Sequence, residues 1–345
     1  MRKFRLATAL FVLTLAAAFA LTGCGDSEST ESGDAEGGLD HLTVQSLWLP
    51  QGQFAGLYTA QAKGYYEEEG IDIEILPGGT DVTAEDQVAN DVAQIGTAFY
   101  SSVLTYQEAG SDFINVFQTF NKSPQYLVAK KSSGIKTPAD FAGKKVANWF
   151  GGRQYELLSL AKLNGLDPDK DLELVQQDYT MDQFINDEVD VASAMSYNEY
   201  LLLLEDAGFT EDDLTVFDPN DNGSAMLEDC FFVKREWAEA NRDLLVRFLR
   251  ATIKGWKYAY ENPDEAGQIA FDAGDGSSTL EHQVAMTKAA AELAVPDGDT
   301  SRIGELNTEK LQQTIDLGAE TGLIKEKIDL ETSVDASFWE EAVQE

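Results

Sequence analysis

The chain has 345 residues, with 25 lysines and arginines against 61 aspartates and glutamates, and a formal charge of −36. That charge excludes a nucleic-acid backbone as partner, because phosphate contacts need clustered cations and the counterion release they bring. Hydrophobic residues at 43% and aromatics at 10%, spread along the chain, exclude a disordered acidic polymer and provide for a large core, while length alone leaves one large α/β unit or two or three domains open.

At the N-terminus Arg2, Lys3 and Arg5 precede an apolar run from Leu6 to Leu21, followed by Thr22, Gly23 and Cys24. The run is shorter than the about 20 residues of a membrane span and lacks a stop-transfer flank, so residues 1–23 read as an export signal. Leu21-Thr22-Gly23-Cys24 resembles the lipobox of bacterial lipoproteins, which implies cleavage after Gly23, a lipid on Cys24 and attachment to the extracytoplasmic face of the cell membrane. Cleavage removes three cations and no anion. Cys230, the other cysteine of the sequence, then has no partner within the chain and reads as an apolar residue of a buried strand. Mutual repulsion keeps so acidic a protein monomeric and is relieved by a saline medium. Residues 24–38 hold no large apolar side chain after the cysteine and read as an acidic, flexible tether.

The folded part is expected from residue 39. A strand at Leu42–Leu47, a helix from Gln53 to Tyr66, a strand at Ile71–Leu76, strands at 93–96, 113–119 and 125–129, and a helix at 101–109 alternate as βαβα. That alternation predicts a mostly parallel sheet with helices on both faces. A second set follows the Lys130-Lys131-Ser132-Ser133-Gly134 segment: strands at 144–148, 172–176, 189–194 and 214–217, with helices at 155–164, 181–186 and 198–207 between them. After a strand at 226–233 the rest is helical, with segments at 236–259, 263–271, 280–293, 308–320 and 337–343. Two α/β lobes are therefore expected, the first from residues 39–129 and 226–345, the second from 130–225.

Chemistry-bearing motifs are sparse. His41 and His282 are the two histidines of the sequence and neither has a companion at metal-ligand spacing, so both read as solvent-facing residues and no metal is expected. Neither Gly78-Gly79 nor Gly151-Gly152 completes a phosphate loop or a GxGxxG fingerprint, and a serine triad lacks a base. Trp48 and Trp149 each follow a strand, at the carboxyl ends where open α/β sheets bind ligands. They either flank a flat ligand across a cleft or pack the cores beneath their own loops.

Four segments carry a family resemblance: Phe54 to Ile73 (FAGLYTAQAKGYYEEEGIDI), Gln87 to Gly96 (QVANDVAQIG), Gly134 to Val146 (GIKTPADFAGKKV) and Phe248 to Trp256 (FLRATIKGW). In this order they resemble the solute-binding proteins of ABC importers in the nitrate/sulfonate/taurine and thiamine-pyrimidine synthase-like group. The resemblance implies a type II periplasmic-binding fold, two α/β lobes with a ligand cleft between them, and a permease and an ATPase as partners. The enzyme of that group, a thiamine-pyrimidine synthase that uses pyridoxal phosphate, places a lysine and a histidine in the segment matching Gly96 to Ser101, which has neither here, and a cysteine run where Cys230 stands alone. No catalysis and no cofactor are therefore expected. Asn148 to Glu156 and Tyr197 to Tyr200 resemble the binders of aromatic heterocycles, such as thiamine pyrimidine precursors or riboflavin; a small sulfonate or other anion is the alternative ligand. Trp48, Gln53, Tyr58, Thr97, Trp149, Tyr155, Glu156, Asn198 and Glu199 are the expected ligand-binding residues, with the tryptophans as ring walls and the glutamates as acceptors. Each glutamate also reads as an ordinary solvated carboxylate.

Overall fold

The computed structural model describes residues 38–150 and 153–344. The export signal, Cys24 and the tether as far as residue 37 lie outside the described residues. Ten strands are named in chain order: β1 Asp40–Gln45, β2 Ile71–Leu76, β3 Ile95–Ala98, β4 Phe113–Gln118, β5 Gln125–Lys130, β6 Lys144–Asn148, β7 Leu172–Gln176, β8 Val191–Met195, β9 Leu214–Phe217 and β10 Cys230–Lys234. They form two five-stranded sheets, ordered β2-β1-β3-β10-β4 and β7-β6-β8-β5-β9. Strands covered on both faces are buried along their whole length, as in β4 (FINVFQ) and β8 (VASAM). The edge strand β2 instead turns Ile71 inward and leaves Asp72 and Glu74 exposed, which discourages pairing with another chain.

The two sheets share one plan. β1 runs parallel to β2 and β3, and β6 runs parallel to β7 and β8, which requires a crossover connection between the paired strands. The fourth strand of each order is antiparallel to both neighbours: β10 between β3 and β4, β5 between β8 and β9. Both are the first strand made after the chain arrives from the other sheet, where no crossover helix sets the direction. The mostly parallel sheet expected from the βαβα rhythm is thus mixed in each lobe. β5 also belongs to the second sheet, so the chain first crosses at residues 119–124, upstream of the division at 129/130 read from the sequence. Strand propensity marks a strand without naming the sheet it joins. The return crossing occupies residues 218–229, between β9 and β10.

Two expected helices are broken. Gln53 to Tyr66 becomes a 3-10 turn at Gly52–Phe54, a helix at Ala55–Ala62, a left-handed Gly64 (φ 74°) and a short helix at Tyr65–Glu68. The long C-terminal segment divides at Asn241 into Arg235–Ala240 and Arg242–Glu261. The Ala55–Ala62 and Arg242–Glu261 helices cross without room for side chains: a Cβ on Gly255 would lie 2.1 Å from the Gly56 carbonyl oxygen, and one on Gly56 would lie 2.2 Å from Trp256. Beneath this crossing Phe231 meets Phe248 and Phe117, and Phe120 meets Trp256, with ring centroids 5.4–6.2 Å apart. The second lobe has its own cores on the two faces of its sheet, one around Phe141 and Phe217 and one around Phe184. Cys230 is buried in β10 as an apolar strand residue. Among the described residues no helix is long and apolar enough to cross a membrane.

Candidate functional site

The loops at the carboxyl ends of β1, β3, β6, β7 and β8 converge between the two sheets, carrying Leu47 to Gln53, Phe99, Trp149, Tyr179 and Tyr197 to Glu199. Three neighbouring compartments open there. The central one, about 130 Å³, is lined by Trp48, Gln53, Phe99, Trp149, Asn198 and Glu199 among others. An outer one of about 380 Å³ adds Glu85, Ser101, Ser102 and Gln176, and a third of about 330 Å³ runs past Leu202 and Asp206 to Phe271 and His282. Trp48 and Tyr179 line all three. Their rings lie 5.6 Å apart at 34°, one from each lobe, and 63% of Tyr179 is exposed.

Local hydrogen bonds set the walls. Thr97 accepts from the Leu47 backbone N–H (2.7 Å) and Gln283 accepts from the Gly52 N–H (2.6 Å), which fixes both ends of the loop bearing Trp48. The Trp149 indole N–H donates to the Asp178 carbonyl (3.2 Å) and ties the β6 loop to the β7 loop that carries Tyr179. The Arg153 guanidinium lies 4.6 Å from the Phe99 ring centre across the cleft and 6.0 Å from that of Trp149, within the range of cation–π attraction.

Carboxyl groups surround that cation. Glu199 accepts from the Met195 N–H (2.9 Å) and the Asn198 amide (3.0 Å), while burial raises its pKa and Arg153 partly opposes the rise. Asp229 accepts from the Gln53 amide (2.7 Å) and is pushed by burial up to about 7. Glu228, whose Oε2 finds no hydrogen-bond partner, and Glu85, bonded by the Ser102 hydroxyl, are also raised by burial and also feel Arg153. One cation therefore faces four buried carboxyl groups, each costly to ionise away from water.

Of the expected binding residues, Trp48, Gln53, Trp149, Asn198 and Glu199 meet in the central compartment. The ring in direct contact with Trp48 is Tyr179 rather than Trp149, although both tryptophans line the same space. Tyr58 lies in the Ala55–Ala62 helix, buried against the first lobe, and does not line these compartments. Thr97 acts behind the Trp48 loop, and Tyr155 packs against the core on the far side of the first sheet. Glu156 is absorbed by the crossings: its carboxyl accepts from the Ser123 hydroxyl (2.9 Å) on the outward segment and from the Met226 N–H (2.8 Å) on the return segment. Cys24 lies outside the described residues. His41 is exposed as expected, whereas His282 is 6% exposed and corrects its solvent-facing reading, because its ring bridges Glu205 and Asn198. Phe99 and Tyr179 were missed although each follows a strand, the same signal that singled out Trp48 and Trp149.

The NMT1/THI5-like family description matches residues 51–266. The riboflavin-binding protein RibY of Chloroflexus aurantiacus is 27% identical over 268 residues, 73% of this chain and 72% of its own length. The formylaminopyrimidine-binding protein of Halalkalibacterium halodurans is 21% identical, covering 77% and 78% of the two chains. In shape, the periplasmic aliphatic sulphonate binding protein SsuA of Escherichia coli superposes with a TM-score of 0.66 at 17% identity, over 86% of this chain and 92% of that one. By sequence this chain belongs to the NMT1/THI5-like family, and it has the two-lobed fold of periplasmic solute-binding proteins.

Proposed function

We propose that this chain is the lipid-anchored, extracytoplasmic solute-binding component of an ABC importer and takes a flat aromatic heterocycle, of pyrimidine or flavin type, to its permease and ATPase. The observation that carries this reading is the central compartment, where Trp48, Phe99 and Trp149 enclose a narrow space edged by Gln53, Asn198 and Glu199. Aromatic walls reward any flat ring, and buried acceptors such as Glu199 reward ring N–H and amino groups. The outer compartment adjoins the same walls and gives a larger ring system somewhere to extend. A small sulfonate or nitrate would enter a site whose one cation already faces Glu85, Glu199, Glu228 and Asp229. The relatives named for riboflavin and formylaminopyrimidine support the aromatic side of this choice. The synthase reading lacks the lysine and histidine it needs between Gly96 and Ser101, and Cys230 is sealed inside β10.

Binding closes the lobes about the crossings at 119–124 and 218–229, and the partners are a membrane permease and its ATPase. The test is calorimetry of the full chain against pyrimidine precursors, thiamine, riboflavin, taurine and nitrate, repeated with Trp48→Ala. An aromatic ligand should bind, and loss of one wall should weaken it about 5 to 150 fold, the equivalent of roughly 1 to 3 kcal/mol of stacking. Binding of the anions alone, or an aromatic affinity unchanged by Trp48→Ala, defeats the reading.

A further inference from the structure

His282 is the third residue of the helix Leu280–Ala294, and Thr279 caps that helix by accepting from the His282 N–H (3.1 Å), which sets where the ring emerges. The helix packs with the first lobe and its next residue, Gln283, holds the Gly52 N–H of the Trp48 loop. The imidazole reaches the other way. Its Nδ1 lies 2.9 Å from a Glu205 carboxylate oxygen and its Nε2 lies 2.9 Å from the Asn198 amide oxygen, both on the second lobe's helix Glu199–Glu205 or its first flanking residue. The Asn198 amide nitrogen is engaged with Glu199 (3.0 Å), which turns the amide oxygen toward the ring. Both ring nitrogens thus meet acceptors, and only a ring with an N–H on each side satisfies both.

We propose that His282 is a positioning residue of the cleft: donating from both ring nitrogens, it fastens Asn198 and Glu205 of the second lobe to the helix that holds the Trp48 loop, keeping the lobes closed and Glu199 in place. The proposal rests on the reading of this cleft as a closing binding site, not on the identity of the ligand. The surroundings suit a doubly donating ring. Glu205 and Asp206 face it from the second lobe, Glu199 stands behind Asn198, and Asp275 lies on the loop before its own helix, while the compartment is lined by no lysine or arginine among the described residues.

The experiment is solution scattering of the ligand-free full chain at a single pH, comparing the wild type with His282→Leu, which removes both donors; His282→Gln, which keeps one; Glu205→Gln, which weakens the acceptor; the double variant His282→Leu with Glu205→Gln; and His41→Gln as control. Loss of one charge-assisted bond should shift the ratio of closed to open molecules about tenfold or more. His282→Leu and Glu205→Gln should therefore be more expanded than the wild type, His282→Gln should lie between His282→Leu and the wild type, the double variant should be no more open than His282→Leu, and His41→Gln should match the wild type. A wild-type radius in His282→Leu, or expansions by His282→Leu and Glu205→Gln that simply add in the double variant, overturns the proposal. Because no ligand is added, a cleft that proves to take an anion leaves the outcome unchanged.

Discussion

Glu156 separates two roles that the sequence leaves joined. Read as a ligand acceptor, it should matter for affinity; placed as it is, 3% exposed and bonded to both crossings, it should matter for stability. Replacing it with alanine leaves the Met226 N–H buried without a partner and the Ser123 O–H without an acceptor, although the Ser123 oxygen still accepts from the Gln125 N–H, and each such loss costs about 1–3 kcal/mol, or about 2–6 kcal/mol together. Glutamine preserves the pattern, because its carbonyl takes the Met226 N–H and its amide donates to the Ser123 oxygen, so Glu156→Gln should stay within about 1 kcal/mol of the wild type near neutral pH. Its charge is a liability in this position: burial raises the proton affinity of Glu156, as does Asp218 nearby, so rising pH drives an ionisation that the buried site opposes. The folded state therefore holds a proton that the unfolded state releases, stability attributable to this group declines as pH rises through the folded pKa, and the glutamine variant should gain on the wild type in that direction. Urea denaturation followed by tryptophan fluorescence measures both effects. An alanine variant within about 1 kcal/mol of the wild type, or a glutamine variant as damaged as alanine, refutes the clamp; a stable glutamine variant that no longer binds its heterocycle would return Glu156 to the ligand.

Asp229 should show the same sign through a simpler change, since burial lifts its pKa from 3.8 to about 7: its contribution is intact in acid and lost as pH rises to about 7. Asp229→Asn should flatten that part of a stability profile, keeping the bond from Gln53 and tolerating the left-handed backbone (φ 29°) that asparagine adopts more readily than most residues; an unaltered profile would remove Asp229 from the account. Gly255→Ala should cost about 1–3 kcal/mol or more in urea, because the new methyl meets backbone at the helix crossing rather than a side chain that can turn away; a neutral result would mean the crossing yields. Cys24→Ser should release the protein from membranes or leave its precursor uncut, and unchanged attachment would defeat the lipid anchor.

Legibility followed the range of the interactions. Strand and helix periodicity is local, so β1, β2, β6 and β7 lie close to where alternation placed them, and the edge character of β2 is visible in its alternating Asp72 and Glu74. Sheet membership is not local. Gln125–Lys130 has the same apolar run whichever sheet receives it, and only its pairing with β8 and β9 places it in the second. The helix break at Gly64 was available from a residue suited to positive φ, whereas the break at Asn241 has no such mark. At the site, the rule that ligands gather at strand carboxyl ends marks Trp48 and Trp149 and applies equally to Phe99 and Tyr179. Glu156 and His282 went astray for a different reason. A carboxylate bonded to two crossings and an imidazole bonded across two lobes are defined by partners up to 84 positions away, and nothing in the flanking residues encodes them.

The same long-range placement explains how a chain so acidic can present a selective cleft. Most of its carboxylates remain in water, where salt screens them and each costs little. A few do not: Glu156, Glu199, Glu228 and Asp229 are buried at the cleft floor or the return crossing, where each must find donors, hold a proton or face Arg153. Donors are supplied chiefly by backbone and side-chain groups from the loops and crossings around the cleft, including Met226, Met195, Asn198 and Gln53. The cleft thus has an excess of acceptors over cations. An entering ring that brings N–H or amino groups supplies donors that the protein lacks, whereas an anion would compete for the one guanidinium already facing those carboxyl groups. Under the proposed function, selectivity for a donor-bearing heterocycle then follows from the imbalance itself, with the aromatic walls setting only its shape.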